Sequence, residues 1–204
     1  MLFDDTYTEL AEASEAQLRE KGSRFFAFAF PVHSEAEIKE HLAALRLKYP
    51  DATHHVYAYS LGPSGEAQRA NDDGEPSGSS ARPILRAILS AGLSNTLVVV
   101  VRYFGGTLLG IPGLIASYGG AAELALKSAA KKTCLIEVEF SIESDFENEQ
   151  AIHLLLRPFE FRVLDRQYQT GVLYKVAIRR NDSIRFEKAA SEAYKLSVKS
   201  IPVS

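Results

Sequence analysis

The stretch Leu97–Gly120, LVVVVRYFGGTLLGIPGLIASYGG, constrains the fold more than any other part of the chain. Its first five residues, Leu97 to Val101, are apolar and mostly β-branched, too short a run for a buried helix, and read as a buried strand. Arg102, Tyr103 and Phe104 follow, then the pair Gly105-Gly106, with Gly110 and Gly113 further on. Beyond Pro112 the spacing turns helical, through Leu114, Ile115, Tyr118, Ala121, Ala122, Leu124, Ala125 and Leu126. A buried strand that feeds a helix through a glycine turn packs helix against sheet. It is also a common place for a site, because glycine lets a ligand or another backbone approach closely.

The turn is not a standard phosphate cradle. Gly105 and Gly110 have P-loop spacing, but Ile111 and Pro112 stand where the lysine and the hydroxyl residue belong. The G-x-G-x-x-G dinucleotide fingerprint is absent as well, so no nucleotide or other cofactor is expected.

At 204 residues the chain makes one large domain or two small ones. Its single cysteine, Cys134, rules out an internal disulfide framework and fits a reducing, cytoplasmic setting. The N-terminal MLFDDTYTEL carries acids where a secretion signal needs positive charge, and no apolar run approaches membrane-spanning length. The expectation is a soluble cytoplasmic protein with no membrane partner. A formal net charge of −3 gives no bulk attraction to nucleic acid, so binding of that kind needs a local basic face.

Along the chain, Lys21–Val32 reads as a strand with Phe26, Phe28 and Phe30 on one face, preceded by a polar cluster of Lys21, Ser23 and Arg24. Ser34 and Glu37 have capping-box spacing at the start of a helix that Pro50 closes. Thr53–Leu61 alternates again. His55, Tyr57 and Tyr59 face one way and His54, Val56 and Ala58 the other, so the two histidines cannot share a metal and no metal site is expected. Gly62–Pro83 reads as a long loop concentrating Asp72, Asp73, Glu75, Ser77, Ser79 and Ser80 between Arg69 and Arg82, and long loops are commonly functional. Metal ligands, a serine nucleophile and ordinary turn chemistry all fit that composition. Pro83–Leu93 reads as a short helix.

Four segments then carry a resemblance. Lys21–Phe25, His55–Tyr59, Asp72–Leu85 (DDGEPSGSSARPIL) and Val101–Leu114 (VRYFGGTLLGIPGL) stand in the order and register of the IMPACT family, in its bacterial YigZ-type branch. The chain departs from the family pattern at Ser79-Ser80-Ala81, where Thr-Ala-Gly is usual, and at Leu108 and Ala116, where the family often carries lysine and arginine. Both latter changes remove positive charge beside the glycine turn and leave Arg102, Arg82 and Arg69 as basic candidates.

The C-terminal part alternates cleanly over Leu135–Glu143. It continues with a helix over Asn148–Arg157, a hairpin across Thr170-Gly171, a helix over Ser183–Tyr194 and a last strand over Leu196–Val203. The order βαββαβ is the ferredoxin-like pattern. With the resemblance, the expectation is an α+β protein of two domains: residues 1–131, similar to the second domain of ribosomal protein S5, and residues 133–204, ferredoxin-like.

That pairing resembles the last two domains of translocating elongation factors, which work against ribosomal RNA. Eukaryotic relatives restrain the amino-acid-starvation kinase pathway by binding a ribosome-associated activator through an additional N-terminal domain, so the resemblance carries over a link to translation and not that pathway. The resemblance thus implies a non-catalytic module that binds RNA, the ribosome or a translation factor. Its candidate contacts are His54, His55, Tyr57, Arg69, Asp72, Asp73, Glu75, Ser77, Arg82, Arg102, Tyr103, Gly105 and Gly106. Two alternatives stand beside it: a metal-dependent hydrolase using the acidic 72–80 loop, and a protein-interaction module whose glycine turn meets a partner. Arg102, at the end of a buried strand, must reach solvent or pair internally, and Asp72, Asp73 and Glu75 are the nearest acids by motif order.

Overall fold

The computed structural model describes residues 5–201. The chain divides into two compact units, one of residues Tyr7–Cys134 and one in which residues 135–201 are joined by residues 5 and 6.

The first unit runs β1 (Thr6–Leu10), β2 (Ser14–Glu20), β3 (Ser23–Pro31), α1 (Glu35–Lys48), β4 (His54–Leu61), β5 (Ala67–Asn71), α2 (Ala81–Ser90), β6 (Thr96–Tyr103), α3 (Gly110–Ser128) and β7 (Lys131–Leu135). Five strands form an antiparallel sheet in the order β2-β3-β6-β4-β5, and β1 pairs with β7 in a sheet of two. The central strand β6 is the valine run, buried on both faces, which explains its continuous rather than alternating hydrophobicity.

One face of the sheet presents Phe25, Ala27, Val56, Ala58, Val98 and Val100 to α2 and α3. The other presents Phe28, Tyr59, Leu97, Val99 and Val101 to Ile38 and Leu45 of α1. Helix α1 begins where expected: Ser34 Oγ accepts the Glu37 N–H at 3.2 Å. The Glu37 carboxylate reaches one residue beyond the usual box and accepts the His33 N–H at 2.9 Å.

One reading of the sequence needs correction. The segment 62–83 is not a structureless loop, since Ala67–Asn71 pairs with β4 as an edge strand and α2 begins at Ala81. Its residues lack apolar alternation because that strand is exposed on both faces. Residues 131–135 form β7 after α3 has ended at Ser128.

The second unit runs β8 (Glu137–Ser144), a single 3-10 turn over Phe146–Asn148, α4 (Glu149–Leu156), β9 (Phe161–Tyr168), β10 (Val172–Arg179), α5 (Arg180–Glu192) and β11 (Ser197–Ile201). Its antiparallel sheet has the order β11-β8-β10-β9, so β10 of the hairpin lies in the middle beside β8, β9 forms one edge, and the last strand returns beside the first at the other. This is the βαββαβ connection the alternation predicts. Phe140, Ile142, Val176 and Ile178 of the sheet bury Ile152, Leu156 and Phe186 of the helices. Helix α5 starts three residues before the expected Ser183, and the part of the last strand expected at Pro202 and Val203 lies outside the described residues.

Candidate functional site

Strand register builds the site. Arg102 of β6 lies directly opposite Phe25 on β3 and His54 on β4, so three neighbouring strands set these side chains in one row on the helix-covered face. A guanidinium there is in the core, with Arg102 only 5% exposed, and it must be paired. Its Nη1 donates to Glu75 Oε1 at 2.5 Å, and the same oxygen accepts the Tyr118 hydroxyl of α3 at 2.6 Å. Its Nη2 donates to Ser23 Oγ at 3.4 Å, and that oxygen also accepts the Gly105 N–H at 3.2 Å. The rings of Phe25 and Phe104 lie 5.5 and 5.6 Å from the guanidinium carbon. Burial, reinforced by the hydrogen bond to Glu75 and its charge, pushes the Tyr118 phenol far upward, so it remains a donor.

The acidic turn is a set of structural anchors. Asp72 Oδ1 accepts Ser80 Oγ and the N–H groups of Ser80 and Ala81, and Oδ2 accepts the N–H of Gly78. These satisfy donors at the start of α2, where the N-cap Ser80 makes no cap bond of its own. Burial works to raise the Asp72 carboxyl, and the hydrogen bonds outweigh it and hold it below the usual carboxylate range. Asp72→Ala is expected to cost about 2 kcal/mol and to fray α2, measurable as a lower urea midpoint. Asp73 stands at φ 45°, and its Oδ2 accepts the His55 N–H at 2.7 Å while Arg46 lies 3.5 Å from Oδ1. Glu75 is 9% exposed and tied to Arg102 and Tyr118. The three carboxylates therefore serve three different places, and among the described residues no group of three or more His, Cys, Asp or Glu converges as a metal site.

The histidines part as the alternation requires. His54 Nδ1 lies 2.8 Å from the Asp73 carbonyl, which can only accept, so Nδ1 carries the hydrogen. In the neutral ring its Nε2 is then an acceptor, 3.7 Å from Glu75 Oε1. His55 is buried on the opposite face, and its Nε2 has no hydrogen-bond partner among the described residues. Burial lowers its pKa, and the Asp73 charge opposes this only in part. A base whose folded pKa is depressed stabilises the fold above its unfolded value, near 6.5, and loses that contribution as pH falls. Thermal melts from pH 7 to 5 are expected to show a shallower loss of Tm for His55→Gln than for the parent protein.

Of the other candidates, Tyr57 and Tyr103 pack on the α1 face and Arg69 is exposed on β5. Ser77 and Arg82 are exposed around the start of α2. Gly105 passes so close to Gly22 that an added Cβ would lie 1.9 Å from the Gly22 carbonyl carbon. Gly106 beside it has φ 83° with open space around it.

A pocket of about 420 Å³ opens above the Arg102 network. Thr53, His54, Glu75 and Arg102 form its polar part, and Pro76, Phe104, Leu109 and Leu114 its apolar walls. At its mouth Leu108 is 85%, Ile111 58% and Phe104 46% exposed. Sequence reasoning missed Ser23 and Tyr118 as members of the network, and Leu108 and Ile111 as its rim. For Tyr118 the signal was a hydroxyl-bearing side chain within the apolar stripe of α3.

The model of the Impact N-terminal domain matches residues 21–126. An IMPACT family member encoded in the pol 5′ region of Thermus thermophilus is 43% identical over 156 residues, covering 76% of this chain and 84% of its own length. The IMPACT family member YigZ of Escherichia coli (strain K12) is 31% identical over 160 residues, covering 78% of each chain. A crystal structure of a hypothetical protein aligns over 98% of both chains at 27% identity with a TM-score of 0.73.

Proposed function

The chain belongs to the IMPACT family, and from that premise we propose that it is a non-catalytic, translation-associated module whose pocket face docks on a protein of the translation machinery. The link to translation rests on what membership of the family implies. The choice of protein over RNA at this face rests on one observation: the charges of the pocket floor, Arg102 and Glu75, are paired with each other, while its rim is exposed and apolar. Arg102, the strongest basic candidate, already holds Glu75 and lies beneath the surface, so it has little to offer a phosphate. Leu108, Ile111 and Phe104 instead offer the apolar surface that an anchoring side chain of a partner fills.

With its Nδ1–H spent on the Asp73 carbonyl, His54 offers Nε2 as an acceptor, which favours an anchor with an apolar body and an N–H or O–H at its tip. The hydrolase alternative has less support, because each carboxylate of the acidic turn already accepts bonds from protein donors.

Photo-crosslinking from position 108 tests the reading. With benzoyl-phenylalanine in place of Leu108 and purified ribosomes and translation factors as probe, crosslinks to protein are expected. Crosslinks to RNA alone, or none at all, would contradict it.

A further inference from the structure

The opposite face of the same sheet carries a second feature, independent of the pocket. Arg19 of β2 and Arg24 of β3 are direct cross-strand partners. Like charges directly opposite each other destabilise a strand pair. Neither arginine forms an ion pair among the described residues, and nor does Lys48 at the end of α1. All three are exposed.

Half-buried aromatic rings run between them. The Arg24 guanidinium carbon sits 4.9 Å from the centre of the Tyr103 ring, and Tyr103 meets Phe26 edge-on at 6.0 Å. Phe26 stacks on Tyr49 at 5.8 Å, and Lys48 Nζ lies 5.3 Å from the centre of the Tyr49 ring. The row is therefore Arg19, Arg24, Tyr103, Phe26, Tyr49, Lys48, with cations at both ends and aromatic rings in the middle. Gln17 lies beside Phe26 in the strand register, and Glu15 lies beyond it, opposite Phe28.

We infer that this face binds single-stranded nucleic acid, its arginines and lysine tracking phosphates while bases stack on the Tyr103, Phe26 and Tyr49 rings. Every base has a π-face, so such a platform tolerates any sequence, and its cations give strong salt dependence. It supplies the local basic face that a chain of net charge −3 needs for this purpose. The unpaired Arg19–Arg24 juxtaposition, unfavourable in the free sheet, becomes favourable when a phosphate lies between the two. The surface differs from the pocket face: of its six residues Arg24 and Tyr103 lie in the family segments, and only Tyr103 is among the candidate contacts.

The test is fluorescence anisotropy with an oligouridine of about ten nucleotides over a salt series, with a duplex RNA alongside. The single strand is expected to bind, more tightly than the duplex. Arg19→Gln with Arg24→Gln should weaken it at least tenfold at low salt and reduce the log–log salt slope by about 1.4, two single-strand phosphate contacts. Tyr103→Leu should weaken binding about tenfold and leave the slope unchanged. Leu108→Asp, on the pocket face, should change neither, so the two proposals fail separately. No binding of the single strand, equal binding of the duplex, or an unchanged slope in the double arginine variant would overturn the inference. Circular dichroism melts establish that each variant is folded.

Discussion

Replacing Arg102 with alanine is expected to lower the stability of the 7–134 unit by about 3–5 kcal/mol, because it leaves Glu75 as an uncompensated buried carboxylate. In a unit of this size that is a fall in Tm of roughly 10–15 °C. The effect follows from position: the register places Arg102 between Phe25 and His54 on the helix-covered face, and Glu75 Oε1 at 2.5 Å is its counter-charge. The double change Arg102→Met with Glu75→Gln should recover much of the loss, since removing both charges removes the buried imbalance. Calorimetry of the two single variants and the double variant checks this. An Arg102→Ala protein as stable as its parent would mean that the pair does not hold the site together.

The second large effect is expected at Gly105. A Cβ there would stand 1.9 Å from the carbonyl carbon of Gly22 and 2.2 Å from the nitrogen of Ser23, and backbone cannot yield as a flexible side chain does. Gly105→Ala must push the 104–110 turn away from the β2–β3 turn and break the Gly105 N–H bond to Ser23 Oγ. A cost of about 3 kcal/mol is expected, at the upper end for overpacking. Gly106→Ala is the control. Its Cβ meets nothing within 4 Å, so only the left-handed backbone at φ 83° is penalised, at about 1 kcal/mol. Denaturant midpoints should therefore rank the parent above Gly106→Ala and Gly106→Ala above Gly105→Ala.

Elements whose burial leaves a period in the sequence were legible. The valine run of β6 matches its burial on both faces, and the alternation in β8 matches the face it buries; the α3 stripe holds at Leu114, Tyr118, Ala121, Ala122, Ala125 and Leu126, while Ile115 and Leu124, read with it, are exposed. Strands β5 (AQRAN) and β7 (KKTCL) were not, because they are mostly exposed and owe their conformation to a neighbouring strand rather than to their own side chains. At the site, an internal partner for Arg102 could be narrowed to three acids by motif order. Choosing Glu75 required knowing that Asp72 caps α2 and that Asp73 turns toward β4. The pocket rim was illegible for a different reason. Leu108 and Ile111 look like core residues in a one-dimensional pattern, and only the path of the glycine turn leaves them at the surface. The Arg19–Arg24 pair likewise exists only through the β2–β3 register.

The central claim, that the pocket face works through its apolar rim while its charges hold the fold, is tested most directly at Leu108 and Ile111. The measurement is the affinity of the Leu108→Asp, Ile111→Asp double variant for purified ribosomes and translation factors, compared with the parent protein at fixed salt. Both side chains are largely exposed, so the fold and the melting temperature should be retained. The account predicts at least a tenfold loss of affinity, as charged residues replace an apolar docking rim. A folded double variant that binds every one of these components as tightly as the parent would contradict it.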